Sequence, residues 1–368
     1  MYEQQKTHVC RLEVNLSALI FNLNYYKQKL PAHTKFIAMV KAFSYGSGDY
    51  EVAKALQDEN VDYLGVAYAD EGIELREKGI TMPIIVMNST PLDYENLLKY
   101  RLEPEIYSLD TLRNFCEAVS LHSAEKQNIH IKLDTGMHRL GFQEDEIPKM
   151  LGYLKNAGSL CVKSIFSHLA VSDELHQDEF TEQQIALFDH WSKQIMTQLD
   201  YPVLRHILNS SGIERFSNYG FDMVRLGLGL YGVNATNTST LKTVNTLKTR
   251  ILQTKKIKQG ETIGYCRNGI AGENTTIAIL AIGYADGFLR KLGNGAYKVL
   301  VNGKLCPTIG NISMDMSTID ISGATAKAGD EVIIFGEEHP VFEIAEKLQT
   351  ITYEVFTNIS ARVKRVYK

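Results

Sequence analysis

The sequence predicts an α/β chain: an N-terminal (β/α)8, TIM-like barrel followed by a C-terminal, mostly-β domain. Three observations predict it. Up to about Val233, eight apolar runs alternate with helical stretches, the pattern of a parallel sheet covered by helices. Eight such units in roughly 220 residues suit a closed barrel of the ~250-residue type. A doubly wound open sheet is the alternative, because periodicity does not show closure. After Val233 the texture changes to short strands and glycine turns. The length, 368 residues, also favours two domains, since single cores stop growing at ~250–300.

In order, residues 9–16 (VCRLEVNL) alternate as a strand that can join the second domain. A helix follows from Ser17 to Leu30, with Ser17 as N-cap. Phe36 to Val40 is the first barrel strand, an apolar run suited to burial on both faces. The next seven strand candidates are VDYLGVAY (61–68), MPIIVMN (82–88), LEPEIYS (102–108), IHIKLDTG (129–136), VKSIFSHLA (162–170), LRHILNS (204–210) and MVRLGLGLYG (223–232). NATNTSTLKTVNT reads as a linker. TIGYC, TTIAILAIGYADGF, YKVLVNGKLCPTIGN, STIDI and DEVIIFG supply the β domain, with a helix at VFEIAEKLQ and a basic last strand, ISARVKRVYK. The expected domains are 13–240, the barrel, and 241–368, the β domain joined by residues 1–12.

Net charge is −4, which argues against nucleic acid or an anionic membrane as partner. Five scattered cysteines (Cys10, Cys116, Cys161, Cys266, Cys306) show no metal spacing and suit a reducing, cytoplasmic setting. The polar start MYEQQKTHVC has no apolar h-region, and no later stretch approaches a membrane span.

Sites in a parallel barrel lie at the C-terminal ends of the strands. Strand one brings Lys41 and Tyr45 there, and strand five Lys132, Asp134 and then Arg139. Strand six brings His168, strand seven His206, Asn209 and Ser210, and strand eight Arg225 followed by LGLGLYG. Taken alone, Lys41 reads as a strand-end lysine that snorkels to solvent. Gly227 and Gly229 let backbone N–H groups approach an anion, and with Ser210 they suggest a phosphate cradle. A lysine, a phosphate cradle, a flat histidine and buried arginines are what a pyridoxal phosphate site needs.

VKAFSYGSG, KLDTGMHRLGF, SHLA, the NSS after HIL, MVRLGLGLYG, IGYADG, GNISMD and TYEV occur in order across nearly the whole chain. The series resembles the alanine racemase family of fold-type III pyridoxal 5'-phosphate enzymes. The resemblance implies an N-terminal barrel, a C-terminal β domain and a homodimer with shared active sites. FSYGSG and GMHRLGF resemble the branch in which the racemase is fused behind a peptidoglycan ligase domain.

By that resemblance Lys41 is the Schiff-base lysine and one catalytic base, and Tyr265 is the second base, supplied by the other subunit. Arg225 faces the pyridine nitrogen, where a permanent cation donates and leaves that nitrogen unprotonated. His206 orients Arg225, and His168 packs on the ring with Asn209 beside it. Tyr45, Ser210, Tyr353 and the N–H groups of Gly227 and Leu228 bind phosphate. Arg139 serves the phenolic oxygen and the substrate carboxylate, and Lys132 matches a lysine that is carbamylated in many members. Met314 and Asp315 match partner-subunit residues next to the alanine substrate, with the Met314 N–H serving its carboxylate, and Tyr284 lines the substrate-side wall.

There are departures. His138 stands where many members have glycine, Phe43 where asparagine is usual, and Asn311 where an arginine lines the access corridor beside Asp173, Arg290 and Ile351. The implied activity is alanine racemisation, supplying D-alanine for peptidoglycan. A same-fold racemase of serine or broader specificity is the alternative. Arg225 speaks against a decarboxylase, and a complete second domain carrying Tyr265 against a non-catalytic pyridoxal phosphate carrier.

Overall fold

A computed structural model describes residues 8–123, 125–234 and 240–368. The chain divides into two compact units. One holds the N-terminal stretch through Ala18, Tyr45–Gly48 and Thr243–Lys368; the other holds Leu19–Ser44 and Asp49–Lys242.

The first strand, β1 (Arg11–Val14), is followed by the helix Leu16–Gln28. That helix is capped by Asn15, not Ser17: the Ala18 N–H donates to Asn15 Oδ1 at 2.9 Å. The helix therefore starts one residue earlier than expected, because the side chain three residues before the third helical N–H is the one that reaches it.

The larger unit is built on β2 (Lys35–Met39), β3 (Tyr63–Val66), β4 (Ile84–Val86), β5 (Glu103–Ile106), β6 (Gln127–Lys132), β7 (Leu160–Phe166), β8 (Leu204–His206) and β9 (Met223–Leu226). These pair in parallel in the order β8-β7-β6-β5-β4-β3-β2-β9. Between β9 and β8, Asp222 N–H donates to Arg205 O (3.1 Å) and Arg225 N–H to Leu208 O (3.0 Å). The sheet is thus a nearly closed barrel rather than an open, doubly wound one. Its strands are short apolar runs such as Ile84–Val86, buried at every residue, as strands covered on both faces must be. Several expected strands end early. LGLGLYG leaves the sheet after Leu226 and forms a tight helical turn at Leu228–Tyr231.

The smaller unit contains β10 (Asn245–Lys256), β11 (Thr262–Ile263), β12 (Gly269–Ile270), β13 (Thr276–Leu280), β14 (Lys298–Val301), β15 (Lys304–Pro307), β16 (Ser317–Asp320), β17 (Glu331–Phe335) and β18 (Lys364–Tyr367). β1 lies inside this sheet, antiparallel to β10 and parallel to β18. Residues 235–239 of the expected linker lie outside the described residues, and its end, from Asn245, is already strand β10. The five cysteines are free thiols. Among the described residues no helix is long and apolar enough to cross a membrane.

Candidate active site

β2 ends at Met39, and Lys41 follows two residues later. The Lys41 amine is half-buried and has no hydrogen bond or ion pair among the described residues. Burial pulls it below the usual lysine range, Arg139, Lys132 and Arg225 add to the effect, and Glu71 opposes them. The chain then turns left-handed: φ is 52° at Ala42, 56° at Phe43, 49° at Ser44 and 52° at Tyr45. Left-handed helical backbone costs an L-residue roughly 1–2 kcal/mol. Glu71 holds the turn's entrance by accepting the Ala42 N–H at 2.5 Å, and its other oxygen takes the Ala67 N–H at 2.6 Å.

Beside β2, β9 pairs Arg225 with Ile37. The Arg225 guanidinium is buried, which brings it down to about 10, with Glu105 opposing. It donates from Nη1 to His206 Nδ1 (2.7 Å) and from Nη2 to Ser167 O (2.6 Å), Ile207 O (3.0 Å) and His168 Nδ1 (3.0 Å). Both imidazoles must be unprotonated at Nδ1 to accept. Burial first and then the Arg225 charge hold both well below the ordinary histidine range. One Nη1–H and the Nε–H stay uncommitted, so Arg225 can still donate to a ligand atom.

Lys132, the last residue of β6, is buried and donates to Glu105 Oε1 on β5 at 3.0 Å. Glu105 is fully buried, and its Oε2 has no hydrogen-bond partner among the described residues. Burial pushes the Glu105 carboxyl up to about 7, against the pull of Lys132. Burial also lowers Lys132. Arg139 is exposed and has no protein partner among the described residues. The residue before it, His138, sits at φ 53°, where glycine is the easy choice. Asp134 stabilises it there: one oxygen accepts the His138 N–H (2.9 Å) and the other meets its imidazole (3.2 Å).

Ser210 Oγ accepts the N–H groups of Gly227 (3.0 Å) and Gly229 (3.2 Å). The Leu228 N–H between them has no acceptor among the described residues. Gly229 is small for a reason other than anion approach: a Cβ there would meet the Tyr26 ring at 2.3–2.6 Å. Asn209 caps the helix Ser210–Arg215, its Oδ1 accepting from Gly212 N–H and Ser172 Oγ–H, both at 2.8 Å.

In the smaller unit Tyr265 opens a tight turn, Tyr265–Arg267, and is 67% exposed. Asn311 fastens that turn. Its Nδ2 donates to Tyr265 O at 2.8 Å, and its Oδ1 accepts from Asn294 (2.8 Å) and Asn268 (3.3 Å). Sequence reasoning saw only a lost arginine at this position. Tyr284 and Met314 are exposed and lie on adjoining loops, since the Tyr284 N–H donates to Ser313 O (3.0 Å) and Ala285 N–H to Met314 O (3.0 Å). Arg362 donates to Asp315 (2.7 Å) and to Asp286 (2.6 Å). Tyr353, on the helix Thr352–Thr357, packs its ring 5.7 Å from that of Tyr45.

A family model described as alanine racemase, N-terminal domain, matches residues 14–235, and one described as alanine racemase, C-terminal domain, matches residues 244–367. The chain belongs to the alanine racemase family. It is 36% identical to alanine racemase 2 of Caldanaerobacter subterraneus subsp. tengcongensis, over 97% of this chain and 94% of that protein. The solved alanine racemase of Clostridium difficile 630 is similar with a TM-score of 0.92 at 36% identity, covering 98% of this chain and 96% of that one. A structure of alanine racemase from Bacillus anthracis with bound L-Ala-P has a TM-score of 0.90 at 29% identity, covering 98% and 95%. As an enzyme of this family, the chain has a barrel donor set that fits pyridoxal phosphate. It combines an unpaired, depressed lysine amine, a buried arginine with spare donors and a serine–glycine turn.

Proposed function

We propose that this chain interconverts L-alanine and D-alanine by a two-base mechanism with pyridoxal 5'-phosphate, supplying D-alanine for peptidoglycan in the cytoplasm. The observation that carries the reading is the unpaired Lys41 amine, held below its ordinary range at the barrel rim of an alanine racemase-family chain. Lys41 would hold the cofactor covalently. Tyr45, Ser210, Tyr353 and the Gly227 and Leu228 N–H groups would serve its phosphate, Arg225 its ring nitrogen, His168 and Asn209 its ring, and Arg139 its phenolic oxygen. When bound, the cofactor supplies an electron sink that acidifies the substrate Cα–H.

Lys41, with more of its amine neutral than an ordinary lysine, removes the proton from one face of Cα. Tyr265 of the partner subunit delivers a proton to the opposite face, and the two exchange roles in the reverse direction. Two fixed groups on opposite faces need less motion than one mobile base. Arg139 of one subunit and the Met314 N–H of the partner subunit hold the substrate carboxylate, with the partner's Asp315 beside them. Tyr284 and Met314 wall the side-chain pocket, which suits a methyl group. The reading requires a homodimer, because the two bases come from different chains.

The test combines a visible absorbance spectrum of the loaded dimer with initial rates on L-alanine, L-serine and L-lysine. D-alanine formation fastest of the three is expected. Turnover of serine without turnover of alanine would overturn the substrate assignment.

A further inference from the structure

Five consecutive barrel strands, β5 to β9, each place one polar residue on a single hydrogen-bonded path through the barrel interior. Arg225 Nη1 is 2.7 Å from His206 Nδ1. His206 Nε2 is 3.0 Å from Ser164 Oγ. Ser164 Oγ is 2.7 Å from His130 Nδ1, and His130 Nε2 is 2.8 Å from Glu103 Oε2. His130, Ser164 and His206 have no exposed surface. The ring planes are fixed as well: His206 stacks on Phe166 at 4.8 Å and 4°, and Tyr63 meets His130 edge-on at 5.9 Å.

The direction of each bond follows from donor arithmetic. A guanidinium only donates, so His206 Nδ1 must accept and its proton sits on Nε2. That proton goes to Ser164 Oγ. With His130 neutral, the serine's single proton goes to His130 Nδ1, which leaves the His130 proton on Nε2, facing the Glu103 carboxylate. Donation runs one way, from the cation at one end to the carboxylate at the other. Such chains polarise each member in the same sense, so each acceptor becomes stronger. Glu103 is held below the usual carboxylate range by His130 and Asn128 despite its burial.

We propose that Glu103, His130 and Ser164 are positioning residues for Arg225. Acting through His206, they lock its Nε2–H tautomer, so that Nδ1 holds the guanidinium in one pose and leaves the remaining donors for the ligand. Ser164 is the indispensable link, because among the described residues His130 and His206 are joined only through its hydroxyl. The inference rests on Arg225 serving the cofactor's ring nitrogen.

The test uses the full-length dimer labelled with 15N-histidine, with and without pyridoxal phosphate, as wild type and as Ser164→Ala, Glu103→Ala and Glu103→Gln. In the wild type, His206 and His130 should both be Nε2–H tautomers in the cofactor-free protein. Ser164→Ala should mix the His206 tautomers, move the visible absorbance band of the loaded enzyme, and lower kcat about five-fold with KM nearly unchanged, the effect of one lost hydrogen bond. Glu103→Gln, whose carbonyl still accepts from His130, should keep the wild-type tautomers, whereas Glu103→Ala should not. An Nδ1–H tautomer at His206, or one unmoved by Ser164→Ala, would overturn the chain. A normal tautomer pattern in a protein that takes up no pyridoxal phosphate would leave the chain standing and sink the cofactor reading.

Discussion

The left-handed turn after Lys41 makes a sharp prediction about Ala42→Gly. Ala42 lies at φ 52° and ψ 53° and is exposed, so removing its methyl group gives up little packing. Glycine relieves the left-handed penalty of roughly 1–2 kcal/mol. It also loses more chain entropy on folding than alanine, by roughly 0.5–1 kcal/mol. The net expectation is stabilisation of about 0.5–1 kcal/mol. The same change at Ala186, exposed in the right-handed helix Asp178–Met196, should destabilise by about 1 kcal/mol. Both positions lie in the same compact unit, so the pair can be compared without assuming that the whole chain unfolds in one step. Urea titration followed by hydrogen exchange of the barrel amides measures the difference, expected to be about 1.5–2 kcal/mol in favour of Ala42→Gly. Equal destabilisation by the two substitutions would refute the strain argument.

Four further outcomes follow from the site. Lys41→Ala should remove the visible band of the bound cofactor, read by absorbance; an unchanged spectrum would end its assignment as the anchoring lysine. Tyr265→Phe should lower racemisation by about 10²–10⁴ while cofactor stays bound, the range for loss of a general acid–base group, read by D-alanine formation. Asn311→Ala removes the amide that holds the Tyr265 carbonyl and should lower kcat several-fold with the cofactor spectrum intact. Lys132 should carry no carbamate, because a second anion there would lie beside the buried Glu105 carboxyl. Carbon-13 NMR in labelled bicarbonate checks this, and a carbamate signal in the wild type would contradict it.

The barrel was legible because its strands are continuous apolar runs separated by helical periodicity, and neither signal depends on distant residues. The 12-residue strand β10 was not seen. Its buried face is Asn245, Leu247, Thr249 and Ile251, and two polar residues on that face hide the alternation. Asn245 is acceptable there because its amide bonds Ser47 Oγ at 2.9 Å, a partner 198 positions away. Lys41, Arg225 and Ser210 lie at or just past barrel strand ends, where the sequence pattern puts them. Glu105, Glu103, His130 and Ser164 were not legible. Glu103 opens β5 and the other three lie within their strands, and which of these residues meet inside a barrel is set by the stagger between strands, which local pattern does not carry. The left-handed turn was equally hidden, since Ala42, Phe43 and Ser44 are ordinary residues for a right-handed one.

The place of β1 inside the C-terminal sheet has a consequence for the order of synthesis. Arg11–Val14 leaves the ribosome before any barrel strand, yet its partners β10 and β18 follow after all of them. At synthesis rates of about 5–20 residues per second, roughly 230 residues and on the order of 10–50 s separate β1 from the start of β10. Over that interval the barrel strands are made, while β1, whose four residues are all buried in the finished sheet, waits unpaired. β1 therefore stays without its sheet partners until β10 is made, and β18 then covers its other side.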